Sequence, residues 1–416
     1  MLAAAAVAAA SPGHAADAPR LQTLVARAPL VVAARVSEVE TLDAGRLAVA
    51  TLDPTAVPKG ERPPSTLRVV ETRDMPAVPS SLEKGMLVFA FLEPLHRNSY
   101  LARTLPQGDY RQLMAGRIGR LVAATPAELA EIVAVVERIL DVSRKPEPDA
   151  ARRAAAARAL VFDEIAARSP VLVEDGAGGL QTIPSLGESL SEDERQRLAT
   201  AIARTDLPPP ARAALVRAVG SNGLRQLVPA LQSLRSPAAP VLAAKFEALE
   251  RLGAPPGLAD VEPYLGSKDA AVRAAAARAL PATPGDEGVA RAGQIALADP
   301  DTAVRRATIE ALGESRRQEA LAPLARVFRE SPQDLRQVAG RGIFQVGGPA
   351  AADTLAQLAF DAPADGQRLA VVLLMALQGG RDDPRVQNIA KTHPDPELRK
   401  LIEHGIEPSH QHGAPH

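Results

Sequence analysis

The sequence predicts a multidomain α+β chain, a small antiparallel β-barrel followed by an all-α solenoid of short helical repeats. Three observations predict it. Between residues 21 and 122, Val-rich runs alternate with turn residues. At residue 125 the apolar period changes from two to that of a helix. After residue 205 one Val-Arg helix motif returns every 31 or 32 residues, too regularly for chance.

The chain starts with an apolar run, residues 2–10 (LAAAAVAAA), broken by Ser11-Pro12-Gly13 and followed by His14-Ala15-Ala16-Asp17. An apolar core, a breaker and small residues before a polar start predict a signal peptide over residues 1–16, although no Lys or Arg precedes the run. The expected location is therefore periplasmic or secreted. No later segment has the roughly 18 uninterrupted apolar residues of a membrane span.

Five runs read as strands in the domain assigned to residues 21–122: 30–39 (LVVAARVSEV), 47–52, 67–72 (LRVVET), 86–92 (MLVFAFL) and 99–104. Turn signals separate them: Asp43-Ala44-Gly45, Pro58-Lys59-Gly60, Pro63-Pro64, Pro76 with Pro79, and Lys84-Gly85. Short strands at this spacing predict a small barrel or sandwich. A strand like 31–39, a Pro58-Lys59-Gly60 turn and an apolar strand opened by Gly85 resemble a netrin/TIMP-like OB-type barrel over about 100 residues. The resemblance implies an inhibitor or sensor acting through the loops at the barrel's ends.

Residues 123–148 read as a helix and linker. Thr125 is an N-cap, Pro126 the first helical residue, and Glu128 completes a capping box. Leu129, Ile132, Val136, Ile139 and Leu140 make one stripe. Residues 144–148 (RKPEP) end it. Residues 149–204 are expected to form an irregular cap to the solenoid. In it, residues 171–183 read as a hairpin with Asp175-Gly176-Ala177-Gly178-Gly179 at its tip, between helices 150–167 and 191–203.

The repeat is clearest in residues 268–280 (KDAAVRAAAARAL) and 300–313 (PDTAVRRATIEALG). Its arginine recurs at Arg273, Arg305, Arg336, Arg368 and Arg399, with Arg212 two periods earlier and Leu242 in the position between. Gly220, Gly253, Gly313, Gly347 and Gly379 are read as left-handed helix caps, and a second helix follows each. Each pair has an apolar stripe that only its neighbours can cover, so stacking builds a continuous core. The motif resembles HEAT repeats of the short bacterial form over residues 205–404. The resemblance implies that each ladder arginine pairs with an acid at the turn before it: Asp269, Asp301, Asp334, Asp365 or Asp395. The ladder is thus expected to be structural.

Composition narrows the function. The 416 residues carry a net charge of −1, 2% aromatics and no cysteine. A neutral chain with few rings offers neither a phosphate-binding face nor base-stacking platforms, so nucleic acid is not an expected partner. Without cysteine there are no disulfides, thiolate zinc sites or thiol nucleophiles. No G-x-S-x-G, H-E-x-x-H or G-x-x-x-x-G-K motif is present. HEAT-like di-iron hydroxylases carry repeated His-Glu dipeptides, and this chain has none. The glycine-rich turn lacks the strand-to-helix context of a phosphate cradle. No catalytic or cofactor residue is therefore assigned, and the chain is expected not to be an enzyme.

The expectation that remains is an exported scaffold or adaptor binding a protein through the repeat surface. The alternative is a metal-binding or enzyme-accessory protein of the cell envelope, using an inter-domain cleft or tail histidines. Residues 405–416 read as a disordered tail in which His410, His412 and His416 are candidate ligands for Zn²⁺ or Cu²⁺.

Overall fold

Strand β1 (Leu30–Leu42) opens with consecutive apolar residues because both its faces are covered. Leu30, Val32, Ala34 and Val36 point into one cluster, and Val31 and Ala33 into another, as the two-residue period of a strand requires. The computed structural model describes residues 20–42, 46–63, 65–72, 81–95, 101, 105–114, 119–144, 149–378 and 380–404. They fall into two units, residues 1–230 and 231–416. The expected signal peptide and His tail lie outside the described residues.

In the first unit, β1 is joined by β2 (Leu47–Lys59), β3 (Leu67–Thr72), β4 (Leu87–Pro94), β5 (Tyr110–Leu113) and β6 (Arg120–Ala123) in one six-stranded sheet. The neighbour order is β1-β2-β3-β5-β4-β6, and β4 also pairs with residues 30–35 of β1. The pairings thus make a circuit from β1 through β2, β3, β5 and β4 back to β1. The sheet is mixed, which corrects the antiparallel expectation: β5 returns antiparallel to β4 and fills the gap beside β3, so it runs parallel to β3. The expected strand at 99–104 lies outside the described residues except for position 101. The short strands β5 and β6 were not anticipated, because YRQL and RLVA are too brief to show a period.

One face of the sheet is packed by α1 (Leu21–Arg27) and α2 (Pro126–Arg144). The α2 stripe of Leu129, Ile132, Val136, Ile139 and Leu140 is buried there, with Val135 beside it. Thr125 Oγ1 accepts from the Glu128 N–H (3.1 Å), and the Glu128 carboxylate accepts from the Ala124 N–H (2.7 Å). The expected Pro58-Lys59-Gly60 turn is corrected: Pro58 and Lys59 end β2, and Lys59 has its own role. Lys59 Nζ donates to the Val25 and Ala26 carbonyls (2.8 and 2.9 Å), capping the C-terminus of α1. Gly60 has φ +93°, and a Cβ there would lie 2.7 Å from the Pro29 carbonyl oxygen.

Helices α3 (Ala150–Ala166), α4 (Pro170–Leu180), the short α5 (Leu186–Ser189), α6 (Glu192–Ala203) and α7 (Pro209–Ser221) follow; α8 (Val228–Ser233) spans the division. Helix α4 overturns the expected hairpin. Its glycines are not a turn tip: Gly176 and Gly179 are buried, and a Cβ on Gly176 would reach Ile165 Cγ1 at 2.9 Å. Gly176 thins α4 where α3 approaches, and Gly179 does so where Arg20 lies. Pro170 starts the helix, and the Glu131 carboxylate accepts from the Arg168 and Ser169 N–H groups just before it (2.8–3.1 Å).

The second unit is a run of helix pairs: α9 (Ala239–Arg251) with α10 (Leu258–Leu265), α11 (Ala270–Ala279) with α12 (Glu287–Ala298), and α13 (Thr302–Glu314) with α14 (Leu321–Glu330). Then come α15 (Gln333–Val346) with α16 (Gly348–Asp361), α17 (Ala364–Gln378) with α18 (Pro384–Thr392), and a final α19 (Pro396–His404). First helices of successive pairs pack on each other, and second helices do the same from α12 onward. One apolar cluster runs from Leu242 to Ile402.

Two of the glycines read as caps have positive φ, Gly253 (+70°) and Gly347 (+69°), and Gly347, with ψ −171°, is not in the left-handed helical conformation. Gly220 and Gly313 lie inside helices and are buried, and Gly379 is outside the described residues. At Gly313 the reason is close approach: a Cβ would fall 2.6 Å from Gly342 Cα on the next first helix.

Candidate functional site

Two groupings of polar side chains stand out, one in each unit. In the first unit, Arg20 precedes α1 and lies across α3 and α4. Its Nη2 donates to Glu164 Oε2 (3.1 Å) and Asp175 Oδ2 (3.2 Å), and its Nη1 to Thr182 Oγ1 (3.4 Å). Asp175 Oδ1 accepts from the Leu21 N–H (2.9 Å) and so caps α1. Gly179 makes room for the guanidinium, whose Cζ would lie 2.7 Å from any Cβ at that position.

Glu164 is fully buried. Burial pushes its carboxyl up to about 8, helped by the neighbouring Asp175 and opposed by Arg20. One guanidinium faces two carboxyls, so desolvation and like charge outweigh the ion pair. Glu164 is therefore held mostly protonated at neutral pH. Strong perturbation of this kind marks functional sites and structural networks alike.

Beside the cluster is a cleft of about 460 Å³, whose walls include Arg20, Gln22, Arg158, Val161, Thr182 and Ile183. Arg158 is spoken for: it binds both Glu194 carboxylate oxygens (2.5 and 2.7 Å) and the Ser189 hydroxyl and carbonyl (2.9 and 2.8 Å). Its guanidinium, with the Ser191 cap, holds Glu194 down at about 2. Neither arginine of the cleft is a bare cation.

In the second unit the polar side chains close helix ends. Arg336 donates to the Phe328 and Ser331 carbonyls at the C-terminus of α14 (both 2.9 Å), and it also pairs with Asp365. Arg273 donates to the Ser267 carbonyl after α10 (2.9 Å) and binds both Asp299 oxygens at 3.0 Å. Arg399 donates to the His393 carbonyl after α18 (2.6 Å). In the first unit, Arg212 donates to Ile202 of α6 (3.0 Å). A helix leaves its last carbonyls without partners and with partial negative charge, and a cation from the next helix answers both.

Four details depart from the sequence reading. The acids that bind Arg273 and Arg336 come 26 and 29 residues after them, at the turn entering the next pair, not the turn before. Asp269 and Asp301 instead cap their own helices. Arg368 is exposed, and Gln367 does the equivalent work, donating to the Phe360 and Ala362 carbonyls (3.0 and 2.9 Å). Where Leu242 interrupts the ladder, buried Lys245 reaches the Leu234 carbonyl (3.0 Å) from one turn further along. Arg305 donates only to Thr302 Oγ1 (3.1 Å) among the described contacts.

His410, His412 and His416 lie outside the described residues. Among the described residues no cluster of His, Cys, Asp or Glu could hold a metal ion, and no helix is long and apolar enough to cross a membrane. His393 is buried; its Nε2 binds the Ala359 carbonyl (2.9 Å), and its Nδ1 accepts from the Asp395 N–H (3.1 Å). The sequence reading passed over Arg20, Glu164 and Lys245, and gave Asp175 only a place at a hairpin tip. Glu164 left a trace, a carboxyl among Leu160, Val161 and Ile165 on a helix.

Comparison with known proteins gives the repeats a counterpart. The chain is similar to the solved structure of human deoxyhypusine hydroxylase in complex with glycerol, at 18% identity and a TM-score of 0.25, over 60% of this chain and 99% of that one. The expectation that the chain is no enzyme is withdrawn on this finding, because a protein with this likeness is a hydroxylase. At that TM-score the likeness assigns neither activity nor site here. No curated protein matches the chain. A family model described as HEAT repeats matches residues 289–378, and over that span, from α12 to α17, the chain is similar to HEAT repeats.

Proposed function

We propose that the chain is an exported scaffold that binds a protein partner through the exposed surface of its helical repeats. HEAT repeats generally mediate protein–protein interaction, and the match at residues 289–378 supports that role. The observation that carries it is Phe344. It is 39% exposed on α15, although Leu335, Val338, Ala339 and Ile343 of the same helix fill the core. Arg341, one turn before it, is exposed and makes no ion pair among the described residues. An exposed aromatic beside an available guanidinium is the composition of an interface anchor.

A photo-crosslinking residue at position 344 tests this in an extract of the native organism. The expected result is one discrete adduct, absent when the probe replaces Arg168 and lost when Arg341→Glu is added. No adduct, or equal adducts at both positions, overturns the proposal. Export rests on the apolar run at 2–10; intact residues 1–16 on protein from the cytosolic fraction would sink it. For the β-domain, the circuit of pairings around one buried cluster supports the OB-type barrel reading.

A further inference from the structure

We infer that Arg20, Glu164 and Asp175 form a proton-dependent latch that fastens α1, and with it the start of the β-domain, to the α3–α4 helix pair. The seat is built for it. Arg20 reaches 144 and 155 residues along the chain to its two carboxyls. Gly179 leaves space for its guanidinium, and Asp175 adds a cap to the first N–H of α1.

The charge count makes the latch depend on a proton. With Glu164 protonated, its OH bonds to Asp175, and one carboxylate then faces one guanidinium. With Glu164 ionised, its fully buried carboxylate loses its hydration and is repelled by the Asp175 carboxylate that shares the guanidinium, and both effects oppose closure. The other charge near Glu164 is Asp163 on its own helix, which is drawn off by Arg138 of α2 (2.7 Å) and Arg197 of α6 (3.9 Å). Glu174 of α4 faces Arg217 of α7 instead.

The sign follows. The closed state binds a proton more tightly than the open one, so closure is strongest at low pH. It weakens as pH rises and levels off once Glu164 has ionised in the closed state, near pH 8. The limit on the slope is about tenfold in the opening equilibrium per pH unit.

Hydrogen exchange of the full chain, read on the peptide covering residues 20–28, tests the latch. The expected protection factor, already corrected for intrinsic exchange, falls at least about fivefold between pH 6.5 and 8.5 in the parent. In Glu164→Gln, an uncharged mimic of the protonated form, it changes less than twofold. Equal slopes in the two proteins, or a flat parent profile, overturn the inference. Should Glu164→Gln fail to fold, Asp175→Asn replaces it: removal of the second carboxylate makes the profile shallower while the burial of Glu164 remains, and an unchanged slope overturns the inference.

Discussion

Gly313 and Gly342 bring α13 and α15 together backbone to backbone: a Cβ on Gly313 would sit 2.6 Å from the Gly342 Cα. No rotamer change can relieve that contact, because the atom met is main chain. Gly313→Ala must separate the two helices. Overpacking of about 1–3 kcal/mol outweighs the roughly 1 kcal/mol that Ala gains over Gly in a helix. The expected outcome is a lower melting temperature by calorimetry. An unchanged or raised one would refute the close-approach account.

Arg336 and Arg368 look alike in sequence and should behave differently. Arg336→Ala strips two carbonyls of their donors and leaves Asp365 unpaired, an expected loss of about 2–4 kcal/mol. Arg368→Ala, on the surface, should stay within about 0.5 kcal/mol of the parent. Urea unfolding of both variants decides, and similar losses would restore Arg368 to the ladder.

Lys245 is buried with its ammonium on the Leu234 carbonyl, and burial lowers its pKa. For a lysine lowered in this way, stability rises with pH between the folded and the unfolded value near 10.4. Lys245→Met, of similar volume, should remove that rise in urea midpoints measured from pH 7 to 10. A slope that persists in the variant assigns it to another group.

Glu194 titrates in the opposite sense. Its pKa is held at about 2 by Arg158 and the Ser191 cap, so its contribution is complete above the unfolded value near 4.3 and is lost as pH falls towards 2. Partial exposure trims the effect to about 1–2 kcal/mol. Glu194→Gln should be less stable at pH 6 and converge with the parent near pH 2. Parallel curves would contradict the assignment.

Gly60→Ala places a side chain at φ +93° and against the Pro29 carbonyl. The β-domain should lose about 2–3 kcal/mol, seen as earlier unfolding of its amides in hydrogen exchange, with the second unit unaffected.

What the sequence determined by itself is what is written within one helix or one strand. The 31–32-residue register, the Thr125 cap and the α2 stripe are local patterns, and the structure has each of them. The first four strands were legible because their apolar runs are long enough to show. The hairpin error at 171–183 has a local cause too: four residues of Gly and Ala after Asp175 look like a turn to any rule that reads only neighbours. Tertiary structure decided the rest. Whether a glycine bends the chain or lets another helix close in depends on what lies across from it, as Ile165 and Arg20 lie across from α4. A one-residue offset put Gln367, not Arg368, beside the carbonyls of α16, and one turn of helix gave Lys245 the work of an absent arginine. Arg20, Glu164 and Asp175 become a unit only when folding closes loops of about 150 residues and removes water from the Glu164 carboxyl. Burial sets the charge of such groups, and burial belongs to the packed chain.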